Sequence, residues 1–122
     1  MIDIQKTRRY YRYLDKKEVC NCAYCLNYIK QIEFKYPRLG EYLKSIGIDI
    51  TKPFETMPVE VDSQGNIEYA IVQYIAFGDE KDFKKTDIPD VTIEVAHSHP
   101  STNIQDKHFV IEIYPIVLKW II

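Results

Sequence analysis

From Cys22 onward apolar residues recur at helical spacing: Cys22, Cys25, Leu26, Ile29 and Ile32, closing near Tyr36. Positions three and four apart share one helix face, so the spacing predicts a helix over 22–36. Pro37 interrupts it, and Leu39, Tyr42, Leu43 and Ile46 repeat the pattern over 38–46. Gly47 is placed to supply the left-handed stop of that second helix. Gly40 inside it costs about 1 kcal/mol against alanine, so the helix must lean on tertiary packing.

Past Thr51-Lys52-Pro53 the period falls to two. Met57, Val59 and Val61 alternate with polar residues, and Asp62-Ser63-Gln64-Gly65-Asn66 reads as a hairpin loop. The returning run has Ile67, Tyr69, Ile71, Ile75 and Phe77 on one side and Ala70, Val72, Tyr74 and Ala76 on the other. Apolar on both faces, 67–77 is expected to be a central strand. Gly78 to Asp90 reads as a charged connection; Val91, Ile93 and Val95 then alternate toward His97. Phe109, Ile111 and Ile113 make a last strand before Pro115. Near the N-terminus, Tyr10 to Leu14 reads as a further edge strand with one solvated face. The expected fold is α+β, with two short N-terminal helices packed on a four- to five-stranded antiparallel sheet in a single domain over 1–122.

Composition narrows the function classes. A formal net charge of −2 gives no global case for nucleic acid or an anionic membrane as partner. Arg8-Arg9-Tyr10-Tyr11-Arg12 does interleave cations with aromatics, the chemistry of a single-strand nucleic-acid surface. Nothing else in the chain extends that basic surface. The segment from Met1 to Asp15 is charged throughout, so no signal peptide is expected. The greasy stretch Ile116 to Ile122 is too short for a membrane span and carries Lys119. The 3 cysteines are odd in number and tightly clustered, which points to a reducing cytoplasm rather than a disulfide framework.

That cluster, Cys20-Asn21-Cys22-Ala23-Tyr24-Cys25, opens the first helix. With Asn21 as N-cap, Cys20 and Cys25 take the positions of a hydrophobic staple and Cys22 shares a face with Cys25. The three sulfurs should converge on one helix N-terminus, where the macrodipole favours thiolate, the metal-binding form. Three thiolates and one imidazole complete a tetrahedral zinc set. His97, His99 and His108 are the only imidazoles available, and the ligand set expected is Cys20, Cys22 and Cys25 with His97 or His99 from the sheet. The second Cys-x-x-Cys pair of a zinc ribbon is missing, and the blander reading makes Cys22 and Cys25 core packing.

A second candidate is His97-Ser98-His99-Pro100 at a strand end, where residues two apart point to one side. The fragment resembles the His-x-His-Pro of JAMM-type zinc isopeptidases, which implies a zinc-activated water. Asp106 follows too closely for that family's spacing, and Asn103 stands where its serine belongs. The blander reading is a polar hairpin loop with exposed histidines. Ser98 has no base beside it, because strand neighbours point to opposite faces.

Three passages together resemble a family of small uncharacterised proteins from Firmicutes-type bacteria. Cys20 to Tyr28 is similar to its Cys-x-Cys-x-x-Cys-x-Asn-aromatic opening, and Ser45 to Glu55 to its glycine-isoleucine-aspartate turn. Phe109 to Leu118 is similar to its closing strand, with Ile50 where a proline is usual and Ile116 where a tryptophan is usual. The resemblance implies a compact bacterial cytosolic domain and carries no activity. The functional expectation is therefore a non-enzymatic binding or interaction protein with a structural cysteine cluster, zinc as its one candidate cofactor, and a protein partner rather than a membrane or nucleic acid. A zinc metallohydrolase built on His97 and His99 is the enzymatic alternative, and a nucleic-acid module built on Arg8, Arg9 and Arg12 the third.

Overall fold

The computed structural model describes residues 2–122. Among these residues it has three helices, α1 (Ile4–Tyr13), α2 (Ala23–Lys35) and α3 (Pro37–Ser45). Six strands follow: β1 (Glu55–Pro58), β2 (Asn66–Phe77), β3 (Thr86–Ile88), β4 (Val91–Val95), β5 (His108–Tyr114) and β6 (Ile116–Lys119). The class is α+β with an antiparallel sheet, as the periodicity implied, but with one helix and at least one strand more. The sheet runs β1-β2-β5-β4-β3, and β6 pairs with the first half of β2.

The extra helix corrects the edge strand expected over Tyr10–Leu14. Asp3 caps it, its carboxylate accepting the Lys6 amide at 3.0 Å. Thr7 and Tyr11, four apart, are buried together, while Arg8, Arg9, Arg12 and Tyr13 face solvent. The tyrosines that suggested a strand lie on a helix whose register was set by that cap.

What α1 does for the sheet explains why it is there. β1 pairs with β2 only as far as Gln73, and beyond it the backbone of Ile75 and Phe77 has no strand on that side. The Tyr11 hydroxyl accepts from the Ile75 amide at 3.0 Å and donates to the Ile75 carbonyl at 2.7 Å. Thr7 Oγ1 accepts from the Phe77 amide at 3.0 Å, and the Asp3 amide donates to the Phe77 carbonyl at 2.8 Å. Hydroxyls of a helix thus replace a missing strand, and no buried backbone group there is left bare. Lys52 closes the other end of α1, its Nζ donating to the carbonyls of Tyr11 and Leu14 at 2.8 and 3.0 Å.

The same device recurs on β6. The chain passes Pro115 and continues along β2 in unbroken register: Val72 pairs with Ile113, and Tyr69 with Ile116. Reading Pro115 as a terminator missed this strand. The outer side of β6 is closed by α2: Asn27 Nδ2 and Gln31 Nε2 donate to the Lys119 carbonyl at 2.9 and 2.6 Å. The Ile121 amide donates to Asn27 Oδ1 at 2.8 Å, and the Val117 amide to the Tyr36 hydroxyl at 3.0 Å.

Side-chain phase inverts midway along both long strands. Ile67 and Tyr69 share the main core with Val72, Tyr74 and Ala76, so the face changes between Tyr69 and Val72, next to the register shift against β1. Opposite, Phe109, Ile111 and Ile113 give way to Ile116 and Leu118. The single-face grouping of Ile67 through Phe77 expected from strict alternation is corrected by this bulge. Against the main core lie Tyr28 and Ile32 of α2 and Leu39 and Leu43 of α3, each at most 1% exposed. Ile75, Phe77 and Val110 form a smaller cluster on the other face, under Phe54 and Ile104. Gln73, Glu94 and Glu112 stand on that second face in one row, since Gln73 pairs with Glu112 and Glu94 with Glu112.

Two further segments depart from expectation. Val59 and Val61 lie outside β1 and are exposed: regular pairing ends at the register shift beside Pro58, and beyond it only the Val59 and Asp62 amides still reach β2, at the Glu68 and Asn66 carbonyls. The connection from Gly78 to Asp90 contains β3, which pairs with β4 through a turn at Asp90 with φ 75°. The loop over 62–66 is a hairpin turn held by Asp62, which accepts the Gln64 and Asn66 amides at 2.9 Å. Gly47 does take left-handed φ, at 90°, and a Cβ there would stand 2.6 Å from the Ile4 carbonyl oxygen of α1.

Candidate metal centre

Cys22, not Asn21, is the N-cap of α2: its backbone is extended at φ −66° and ψ 166°, and its carbonyl accepts the Leu26 amide at 2.9 Å. The staple assigned to Cys20 and Cys25 therefore shifts by one, and Cys25 becomes the third helical residue. The convergence of sulfurs survives the shift, because cap and third residue are the two positions that face each other across a helix start. Cys20 Sγ lies 3.2 Å from Cys22 Sγ, and all three sulfurs fall within 4.8 Å of one another.

The three thiols sit in different surroundings. Cys20 and Cys22 are exposed, and Cys25 is buried against Thr56 Oγ1 at 3.5 Å. Burial pushes the Cys25 thiol up to about 12, with the neighbouring Cys20 and Cys22 adding to the rise and Thr56 opposing it. Burial also works to raise Cys22, but the Cys25 amide, the Cys20 and Cys25 thiols and the Tyr24 amide outweigh it and leave its pKa below the ordinary value. One thiol thus gives up its proton more readily than an ordinary cysteine and the other less readily. A metal arriving at Cys20 and Cys22 would have to take the proton from Cys25 to recruit it.

No histidine joins the sulfurs among the described residues. His97 lies after β4 with its side chain 85% exposed, its Nε2 3.7 Å from Glu94 Oε1. Its neighbourhood is Glu94 and Glu112, with one ligand atom of each of the three within 4.8 Å of the others. His99 turns elsewhere, its ring edge-on to Phe54 at 6.3 Å and its Nδ1 2.8 Å from the Pro100 carbonyl. His108 is engaged by Thr102 Oγ1 at 2.7 Å. The structure thus brings Cys20, Cys22 and Cys25 together, and leaves His97 and His99 out of that group, each with a neighbour of its own.

Arg8 and Arg12 border a cleft of about 570 Å³ between α1 and α3, with Lys44 and Lys52. Glu33, Glu41 and Asp49 line the same cleft, so its charge is mixed rather than a basic track. No helix among the described residues is long and apolar enough to cross a membrane.

The pattern reading passed over Gln73, Glu94 and Glu112. A signal was present: Gln73 and Glu112 are the polar residues inside the otherwise apolar runs of β2 and β5, and a buried strand tolerates such a residue only when something satisfies it.

Comparison with known proteins adds no identity, since no family model, curated protein or solved structure matches this chain.

Proposed function

We propose that the chain is a non-enzymatic binding protein whose Cys20-Cys22-Cys25 corner holds a thiophilic divalent ion, zinc being the ordinary occupant. The observation that supports this most directly is the grouping of three sulfurs within 4.8 Å, two exposed and one buried. Three thiolates around zinc, each at about 2.3 Å, need sulfur separations of roughly 3.8 Å, a small adjustment from this arrangement. The helix start supplies amides and the positive dipole end that favour the thiolate form. With no imidazole at hand, the fourth position opens outward, beside Cys20 and Cys22. A partner protein or a small thiol completes the set there, so binding of metal and binding of partner are coupled. The hydrolase alternative draws little support, because His97 and His99 face different neighbours.

Metal content of protein purified under reducing conditions without chelator or histidine tag tests the proposal. One thiolate-bound ion per chain, reported by the sulfur-to-metal charge-transfer absorption of the cobalt(II)-substituted protein, retained in His97→Ala and lost in Cys22→Ser, is the expected result. A reduced protein with no thiolate-bound ion, or thiolate absorption that survives Cys22→Ser, would overturn it.

A further inference from the structure

On the sheet face turned away from α2 and α3, two glutamates stand directly opposite each other on neighbouring strands. Glu112 is 6% exposed, and an oxygen of Glu94 lies within 4.8 Å of an oxygen of Glu112. Like charges directly opposite in a sheet repel, and a buried charge is normally paired or bound to a metal. Among the described residues no lysine or arginine forms an ion pair with either carboxylate. The Tyr114 hydroxyl donates to Glu94 Oε2, which fixes that carboxylate and leaves Oε1 turned to His97.

Gln73 supplies an independent observation. It is 1% exposed and directly opposite Glu112 in the register of β2 and β5. Its Nε2 donates to the Ser98 carbonyl at 2.9 Å, which fixes the amide orientation, because a carbonyl only accepts. Its Oε1 is then the one buried side-chain oxygen or nitrogen without a partner among the described residues. That amide end lies beside the residue following His97, on the same face as Glu112. A buried acceptor with nothing to accept from asks for a proton donor or a cation.

We propose that Glu94, Glu112 and His97, completed by the Gln73 carbonyl oxygen, form a site for a divalent first-row metal ion of the manganese-to-zinc class. Two carboxylates match a double positive charge, and three oxygens with one imidazole nitrogen suit such an ion. The absence of sulfur disfavours copper(I), and calcium takes six to eight oxygens and no imidazole. His97, exposed and just past β4, supplies its nitrogen from the open side, where coordination positions remain for water. The site shares no ligand with the cysteine corner, so each can fail without the other.

Manganese(II) is the probe, because it avoids thiolates. Titration of the reduced, metal-free chain, followed by electron paramagnetic resonance of the free ion, should show one manganese per chain. Affinity should fall at least tenfold in Glu112→Gln and in His97→Ala, and stay unchanged in Cys22→Ser. Glu112→Gln should also raise the melting temperature of the metal-free protein, because it removes the repulsion, while abolishing any further rise on adding manganese. Should Glu112→Gln fail to fold, His97→Ala, an exposed position, carries the comparison. No uptake of manganese, or uptake indifferent to both substitutions, would overturn the site.

Discussion

Tyr11 does with one hydroxyl what a neighbouring strand does with two backbone groups, accepting from and donating to Ile75 in a spot 3% exposed. Tyr11→Phe keeps the ring and strips both partners. Leaving a buried amide or carbonyl bare costs about 1–3 kcal/mol each, so with two groups stripped urea denaturation should show a loss of at least about 2 kcal/mol. A loss near zero would mean that water takes the place of the hydroxyl. The thiols make a second residue-scale expectation, because reactivity follows thiolate fraction and access. Cys22, exposed and with its pKa lowered, should alkylate fastest, and Cys25, buried and pushed up to about 12, slowest. Mass spectrometry of a timed iodoacetamide reaction on metal-free protein checks the order. Equal rates would contradict the different environments of the two.

Among the elements, α2 is the one whose polar residues matter most to its neighbours. Asn27 and Gln31, both buried, hold the Lys119 carbonyl together, and Asn27 also takes the Ile121 amide. Asn27→Leu should loosen the end of β6 while leaving β5 in place, so hydrogen exchange should quicken at Ile121 and its neighbours and hold at Ile111 and Ile113. Uniform acceleration would show that β5 and β6 open as one unit instead. These polar bonds are also where the sequence ceased to be legible. The helices over 23–35 and 37–45 were announced by spacing and by Pro37, and β2, β4 and β5 by alternation. The helix over 4–13 was signalled by Asp3 and by Thr7 and Tyr11 at four-residue spacing, but three tyrosines in a basic stretch resembled a strand equally well. β6 hid behind Pro115, and the bulge between Tyr69 and Val72 leaves no mark in a run that is apolar on both faces. The sulfur cluster was legible because its members are five residues apart or fewer. The row Gln73, Glu112 and Glu94 was not, because register over dozens of residues assembles it.

At the scale of the whole molecule, the core is rich in groups that must keep their protons. Burial raises the phenols of Tyr11, Tyr28 and Tyr74, with the Ile75 backbone and the Tyr28–Tyr74 contact modifying the rise, and it raises the Cys25 thiol. In the unfolded chain the thiol ionises around 9.0 and the phenols around 10.0. The folded state holds those protons to higher pH, so the thiol's contribution to stability is complete below 9.0 and drains away as pH rises through about 12, while that of the phenols is complete below 10.0 and is lost only at higher pH still. Denaturation midpoints of the metal-free protein should fall steeply across that alkaline range, and a flat profile would refute the burial of these groups. The helix hydroxyls lining β2 carry one more consequence. Until α1 docks, the end of β2 is an adhesive surface whose natural complement is an extended segment of another copy. A chain shortened to begin at Asp15 should therefore self-associate, and light scattering would follow it. In that light α1 serves as a chaperone carried in cis, occupying the place a second molecule would otherwise claim.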